Sequence, residues 1–148
     1  MTTKWDLRFL ALAKQVASWS KDPSTKVGAV IVNPSRRPIS FGYNGLPEGI
    51  ADDPAILNDR EAKLRLVVHA EENALLNATS PVAGCTMYVW PFMPCQRCAG
   101  MIASRAQGII RVVSIHSYVE RWRDSFRLAE DVLHLRGVEL TLYERAEL

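Results

Sequence analysis

Two short motifs, His69-Ala70-Glu71 and Pro94-Cys95-Gln96-Arg97-Cys98, constrain the fold of this chain more than any other feature. A histidine and two cysteines are borderline-to-soft metal ligands, and they can serve one ion only if these two separated segments converge. Spacing within each segment says how they converge. His69 and Glu71 both face one pocket if a helix begins around Val68. Cys95 and Cys98, three apart, share a face of a second helix that Pro94 would open and that would run to about Gln107. Helix amino termini present free N–H groups and the positive end of the helix dipole, which favour a carboxylate and an anionic nucleophile.

Three protein ligands leave the fourth tetrahedral position of a zinc ion to water, whose pKa then falls from about 15.7 to about 7. Glu71 is outside the ligand set and can carry protons. Taken alone, Cys-x-x-Cys could be a redox pair, a structural zinc knuckle or two buried thiols. A structural site would need a fourth protein ligand, for which Cys85 and His116 are the candidates. Cys85, just before a strand, reads as a small buried apolar residue. His116 reads as a surface or structural residue at a strand end, and His134 as a helical histidine with no partner in the motif.

The remaining periodicity gives an alternating order of elements. Trp5, Phe9, Leu12, Val16 and Trp19 recur at helical spacing over Trp5 to Ser20. Strands follow at Val27 to Val32 and Ile39 to Tyr43, joined by the turn-rich Asn33 to Pro38. A helical pattern covers Leu57 to Ala78. Strands are expected at Thr86 to Val89, Arg111 to Ile115 and Glu139 to Tyr143, and a helix near Ser125 to Arg136 capped by Gly137. This order implies an α/β fold, a three-layer α/β/α sandwich with crossover helices between the later strands, in a single domain spanning 1–148.

Charge narrows the substrate. With 18 Lys and Arg against 16 Asp and Glu, the net charge of +2 makes no general claim on nucleic acid, so a small molecule is expected. Arg121, Arg123 and Arg127 form the densest basic cluster and read as a solvated helix start, with the alternative that Tyr118, Glu120, Arg121 and Trp122 form a loop over the pocket in which a guanidinium could bind phosphate. No stretch is long and apolar enough for a membrane span, and the residues from Met1 to Asp6 lack a signal peptide's apolar core, so a cytoplasmic protein without membrane contact is expected.

Beyond the metal motif, Ser20-Lys21-Asp22-Pro23-Ser24-Thr25-Lys26-Val27-Gly28-Ala29-Val30, Gly42-Tyr43-Asn44-Gly45-Leu46-Pro47-Glu48-Gly49 and His69-Ala70-Glu71-Glu72-Asn73-Ala74 resemble the deoxycytidylate (dCMP) deaminases. The resemblance implies a cytidine-deaminase-like fold with a five-stranded mixed sheet, and hydrolysis of dCMP to dUMP and ammonia, supplying the precursor of thymidylate. It implies catalytic Zn2+ on His69, Cys95 and Cys98, Glu71 as the proton shuttle, and Asn44 against the sugar. Ser20 and Lys21 would lie near the 5′-phosphate, and Ala70, Trp90 and Tyr118 would complete the substrate pocket. Relatives are often homohexamers regulated by dCTP and dTTP, so the resemblance also implies a homo-oligomer, with Mg2+ accompanying a nucleoside triphosphate effector. Two places depart from the pattern. Trp19 stands where relatives often have arginine and is expected to pack, and the segment Trp90 to Met93 is one residue longer than usual where the base pocket forms. The alternatives are a deaminase of another aminopyrimidine, a nucleic-acid-editing deaminase and a non-catalytic nucleotide sensor.

Overall fold

A computed structural model describes residues 3–104 and 106–148. The chain opens with helix α1 (Thr3–Ala17), followed by strands β1 (Gly28–Val32) and β2 (Pro38–Tyr43). Three short helices come next, α2 (Pro54–Leu57), α3 (Arg60–Leu66) and α4 (Ala70–Asn77). The rest alternates: β3 (Thr86–Trp90), α5 (Gln96–Ile102), β4 (Arg111–Ile115), a 3-10 turn at Glu120–Trp122, α6 (Arg123–Leu135) and β5 (Glu139–Tyr143). The five strands form one mixed sheet in the order β2-β1-β3-β4-β5, with β1 antiparallel to both neighbours and β3, β4 and β5 parallel. The expected sandwich is therefore present.

Alternation along the strands divides the core into two layers. Ala29, Ile31, Met87, Val89 and Val112 face α4, α5 and α6, whereas Val30, Val32, Tyr88, Trp90, Val113 and Ile115 face α1. Two glycines set how closely the layers approach. A Cβ on Gly42 would lie 2.5 Å from the backbone nitrogen of Ala74 and 2.6 Å from the carbonyl oxygen of Ala70, so α4 rests directly on β2. A Cβ on Gly28 would strike the Ala13 carbonyl of α1 in the same way. Gly42→Ala is expected to cost about 1–3 kcal/mol, the usual penalty of overpacking, and to weaken zinc binding because α4 starts directly after its cap residue, the candidate ligand His69. A denaturation midpoint and zinc affinity equal to the parent's would contradict this.

The layer under α1 contains a charged network. Arg111 donates Nη1 and Nη2 to the two oxygens of the Asp6 carboxylate at 2.8 and 2.7 Å, and the hydroxyls of Tyr88 and Tyr143 donate to the same carboxylate at 2.9 and 2.7 Å. Asp6 is fully buried. Burial pushes its carboxyl upward, but the bonds from Arg111, Tyr143 and Tyr88 outweigh burial and hold it below the ordinary aspartate range. One carboxylate thus ties α1 to three strands.

Several boundaries differ from those the sequence suggests. The pattern over Leu57 to Ala78 is not one helix, because Asp59 stops the chain and restarts it, accepting from the N–H groups of Glu61 and Ala62 at 3.1 and 3.2 Å. Val67 is extended, and Val68 bridges Gly45 before α4 begins. Pro94 lies just outside α5 rather than in its first turn, since Cys95 is the cap residue, and α5 ends at Ile102. The expected extension to Gln107 crosses Arg105, which lies outside the described residues. On α1 the buried stripe is Asp6, Phe9, Leu10, Ala13, Val16 and Ala17. Leu12 is exposed, and Trp19 lies beyond the helix end, half exposed, edge-on to Phe41 and Tyr43.

Candidate active site

The metal-ligand candidates converge through two helix starts. His69 is the cap residue of α4 and Cys95 that of α5, so Glu71 is the second residue of one helix and Cys98 the third of the other. His69 is held by its neighbours: Val68 exchanges two backbone hydrogen bonds with Gly45 at 2.8 and 3.1 Å, and the His69 N–H donates to Glu72 Oε1 at 3.4 Å. The Nδ1 atom of His69 lies 3.2 Å from Cys98 Sγ and 3.6 Å from Cys95 Sγ. One ligand atom from each member of this trio lies within 4.8 Å of those of the other two. A tetrahedron built on Zn–S bonds of ~2.3 Å and Zn–N bonds of ~2.0 Å has edges of about 3.5–3.8 Å. The donor chemistry and the spacing both fit zinc.

No fourth His, Cys, Asp or Glu joins the trio among the described residues. Cys85 is buried among apolar side chains, and His116 and His134 are exposed and do not line the cleft beside the trio. Glu71 is 4% exposed, and its carboxyl is raised to about 7 mainly by burial, with a further push from Cys95. The bond with Cys98 pulls Cys95 down to about 3 against the effect of burial, the direction required of a thiolate ligand, while Cys98 is pushed up as its partner. His69 is raised, first by its bond to Cys95.

The trio opens into a cleft of about 230 Å³. His69, Ala70, Glu71 and Cys95 line it on the metal side, with Thr25, Val27 and Asn44 from the β1–β2 end. Phe92, Trp122 and Phe126 form an aromatic wall, with Phe92 4.6 Å from Trp122 and 5.7 Å from Phe126 between ring centroids. Arg60, Lys63 and Arg121 supply positive charge. Lys63 is buried and committed, donating to Asp22 Oδ1 and Ser24 Oγ at 3.1 Å each.

The sequence-predicted residues divide into two groups. His69, Glu71, Cys95, Cys98, Ala70 and Asn44 come together at the cleft. Asn44 is more than a turn residue: its Oδ1 accepts from the Val27 N–H and its Nδ2 donates to the Thr25 carbonyl, both at 2.8 Å, which leaves one amide hydrogen for a ligand.

Ser20, Lys21, Trp90 and Tyr118 do not line the cleft. Ser20 is buried with its hydroxyl donating to the Asn44 carbonyl at 2.8 Å, and Lys21 turns outward to Asp52 at 2.9 Å, on the wall of a second depression. Trp90 falls on the α1 side because it is two residues from Tyr88, and the cations of Lys14 and Arg145 lie 5.1 and 5.0 Å from its ring centroid. Tyr118 is exposed and donates to Glu144 at 2.6 Å. Arg60, Lys63, Leu64, Val67 and Phe126 are among the lining residues that sequence reasoning missed. Phe92 was legible, since it belongs to the Trp90 to Met93 segment expected where the base pocket forms.

A family model described as the cytidine and deoxycytidylate deaminase zinc-binding region matches residues 3–115. The chain belongs to the cytidine and deoxycytidylate deaminase family. Among its relatives in that family, the deaminase in the luxG 3′ region of Aliivibrio fischeri is 41% identical over 144 residues, 95% of each chain. The deoxycytidylate deaminase of Mus musculus is 44% identical over 105 residues, 67% of this chain and 58% of that protein's own length. Among solved deaminase structures, that of the cyanophage S-TIM5 dCMP deaminase in complex with dCMP and dUMP superposes with a TM-score of 0.74 at 25% identity, covering 97% of this chain and 99% of the other.

Proposed function

We propose that the protein deaminates dCMP, adding water and releasing ammonia to leave dUMP. The observation that carries this reading is a buried carboxylate, Glu71, next to a three-ligand His/Cys/Cys cluster at one cleft. The named activity of the mouse and cyanophage relatives supports the choice of substrate. A zinc ion on His69, Cys95 and Cys98 would supply an acidified water beside the Glu71 carboxylate.

The other steps belong to the chain's own groups. Glu71 takes a proton from the attacking water and passes it to ring nitrogen N3, which makes C4 electrophilic. It then moves a proton to the exocyclic amine as the C4–N bond breaks, and ammonia leaves. A carboxyl raised to about 7 can serve in both directions near neutral pH. The aromatic wall gives the planar base an apolar surface, and the spare amide hydrogen of Asn44 can be donated to a sugar hydroxyl.

Regulation and assembly complete the proposal. The second depression, about 440 Å³ and lined by Tyr43, Gly45, Pro47 and Lys21, would take a dCTP or dTTP effector with its Mg2+. The exposed cluster that Trp19, beyond the end of α1, forms with Phe41 and Tyr43 of the sheet-edge strand β2 supports a homo-oligomer, a hexamer by analogy with relatives. Three free cysteines fit a reducing, cytoplasmic setting.

Ammonia release is the test. Zinc-loaded protein is incubated with cytosine, deoxycytidine, CMP, dCMP and dCTP, with and without dCTP or dTTP as effector, and its solution mass is measured in parallel. The dCMP reaction should dominate. Turnover confined to another aminopyrimidine would overturn the substrate assignment while keeping the deaminase, and a monomeric mass or indifference to both triphosphates would remove the assembly or the regulation.

A further inference from the structure

The two residues expected to meet the 5′-phosphate do not line the cleft: Ser20 is buried against Asn44, and Lys21 is paired with Asp52 on the second depression. We infer that this chain recognises the phosphate through Arg60 and Arg121 instead, two exposed guanidinium groups that line the same cleft as His69 and Glu71. The inference rests on the nucleotide reading above and names the residues that confer it.

Three observations carry it. The first is charge. Of the cations lining the cleft, Lys63 is neutralised by Asp22 at 3.1 Å, whereas neither Arg60 nor Arg121 has a carboxylate partner among the described residues. Two unpaired positive charges match a phosphate monoester of about −1.5 to −2 at pH 7. The second is placement. The reacting C4 and the 5′-phosphate occupy opposite ends of a pyrimidine nucleotide, so a base seated at the buried Glu71 sends its phosphate toward the exposed part of the cleft, where both arginines are found. The third is preorganisation. The Arg121 guanidinium lies 4.6 Å from the centroid of the Trp122 ring, and Trp122 packs on Phe92 in the aromatic wall. Stacking fixes the plane of the fork without using its N–H donors, which remain available for bidentate contact with phosphate oxygens.

The same placement explains why a chain of near-neutral net charge can still prefer an anionic substrate. Local unpaired cations beside a cleft act over a few ångströms, and total charge does not report them.

The test compares kcat/KM for dCMP with kcat/KM for deoxycytidine in zinc-loaded parent, Arg121→Ala, Arg60→Ala and Arg121→Lys, with inorganic phosphate as a competing ligand. Each alanine variant should lower the dCMP-to-deoxycytidine ratio on the order of 10- to 100-fold, the loss expected for a charge-assisted contact, mainly through KM, and should raise the inhibition constant of phosphate. Arg121→Lys should recover part of the ratio, since it keeps the charge and loses the fork. A strong dCMP preference that survives in both alanine variants overturns the phosphate assignment alone. A parent protein that deaminates deoxycytidine as well as dCMP overturns both that assignment and the nucleotide reading.

Discussion

Replacing Glu71 with alanine is expected to leave one zinc per chain and to lower deamination by about 10⁴-fold, the top of the range for a general acid–base. Zinc should persist because Glu71 is not among the ligand atoms of the His69, Cys95 and Cys98 cluster. Turnover should collapse because no other carboxylate among the described residues lines the cleft except Asp22, which is held by Lys63, Ser24 and Thr25. Each proton transfer in the proposed sequence passes through the Glu71 side chain, so a single truncation removes all of them. Metal content by atomic absorption and single-turnover ammonia release give the two readings. A variant that holds zinc and turns over within tenfold of the parent would remove Glu71 from the mechanism.

The largest expected effect on stability belongs to Asp6. Asp6→Ala should destabilise the fold by about 3–5 kcal/mol, the cost of leaving a buried ionic partner uncompensated. Three donors lose their acceptor at once: the guanidinium of Arg111 and the hydroxyls of Tyr88 and Tyr143. Thr141, which accepts from Arg111 at 3.0 Å, and Glu139 remain close to the cation. The same carboxylate makes a pH prediction. Its folded pKa lies below the unfolded value of about 3.9, so its contribution is complete above that value and is lost as pH falls through the lower folded pKa. Asp6→Asn should therefore be less stable than the parent at neutral pH and should lose less stability between about pH 5 and pH 3. Urea midpoints across that range measure it, and parallel slopes for the two proteins would contradict the assignment.

Much of the site was legible because its residues are local in sequence. His69 and Glu71 are two apart, Cys95 and Cys98 three apart, and either pair at a helix start presents its side chains to one pocket. The strands were legible for the same reason, since apolar, β-branched runs such as Val30 to Val32 and Arg111 to Ile115 announce themselves without their partners. The break at Asp59 was written in the sequence as a helix cap, but the apolar pattern running across it concealed the stop.

Trp90 and Phe92 show where local reading ends. They lie two apart in one segment, yet the first packs under α1 and the second lines the cleft, because β3 ends between them and the strict alternation of the strand no longer holds. Ser20 and Lys21 show the same limit. Their motif was recognisable, but whether a hydroxyl faces a ligand or the Asn44 carbonyl depends on the packing of a residue 24 positions away.

By itself, the sequence determined the reaction chemistry: a three-ligand metal set and a free carboxylate follow from residue types and short spacings that any helix start would honour. Tertiary structure alone decided which side chains surround that chemistry. The Asp6 network, the aromatic wall of Phe92, Trp122 and Phe126, and the pair Arg60 and Arg121 join residues from separate elements. The close seating of α1 on the sheet at Gly28 and of α4 at Gly42 sets the depth of the Asp6 network and of Glu71, a packing distance that no local pattern records.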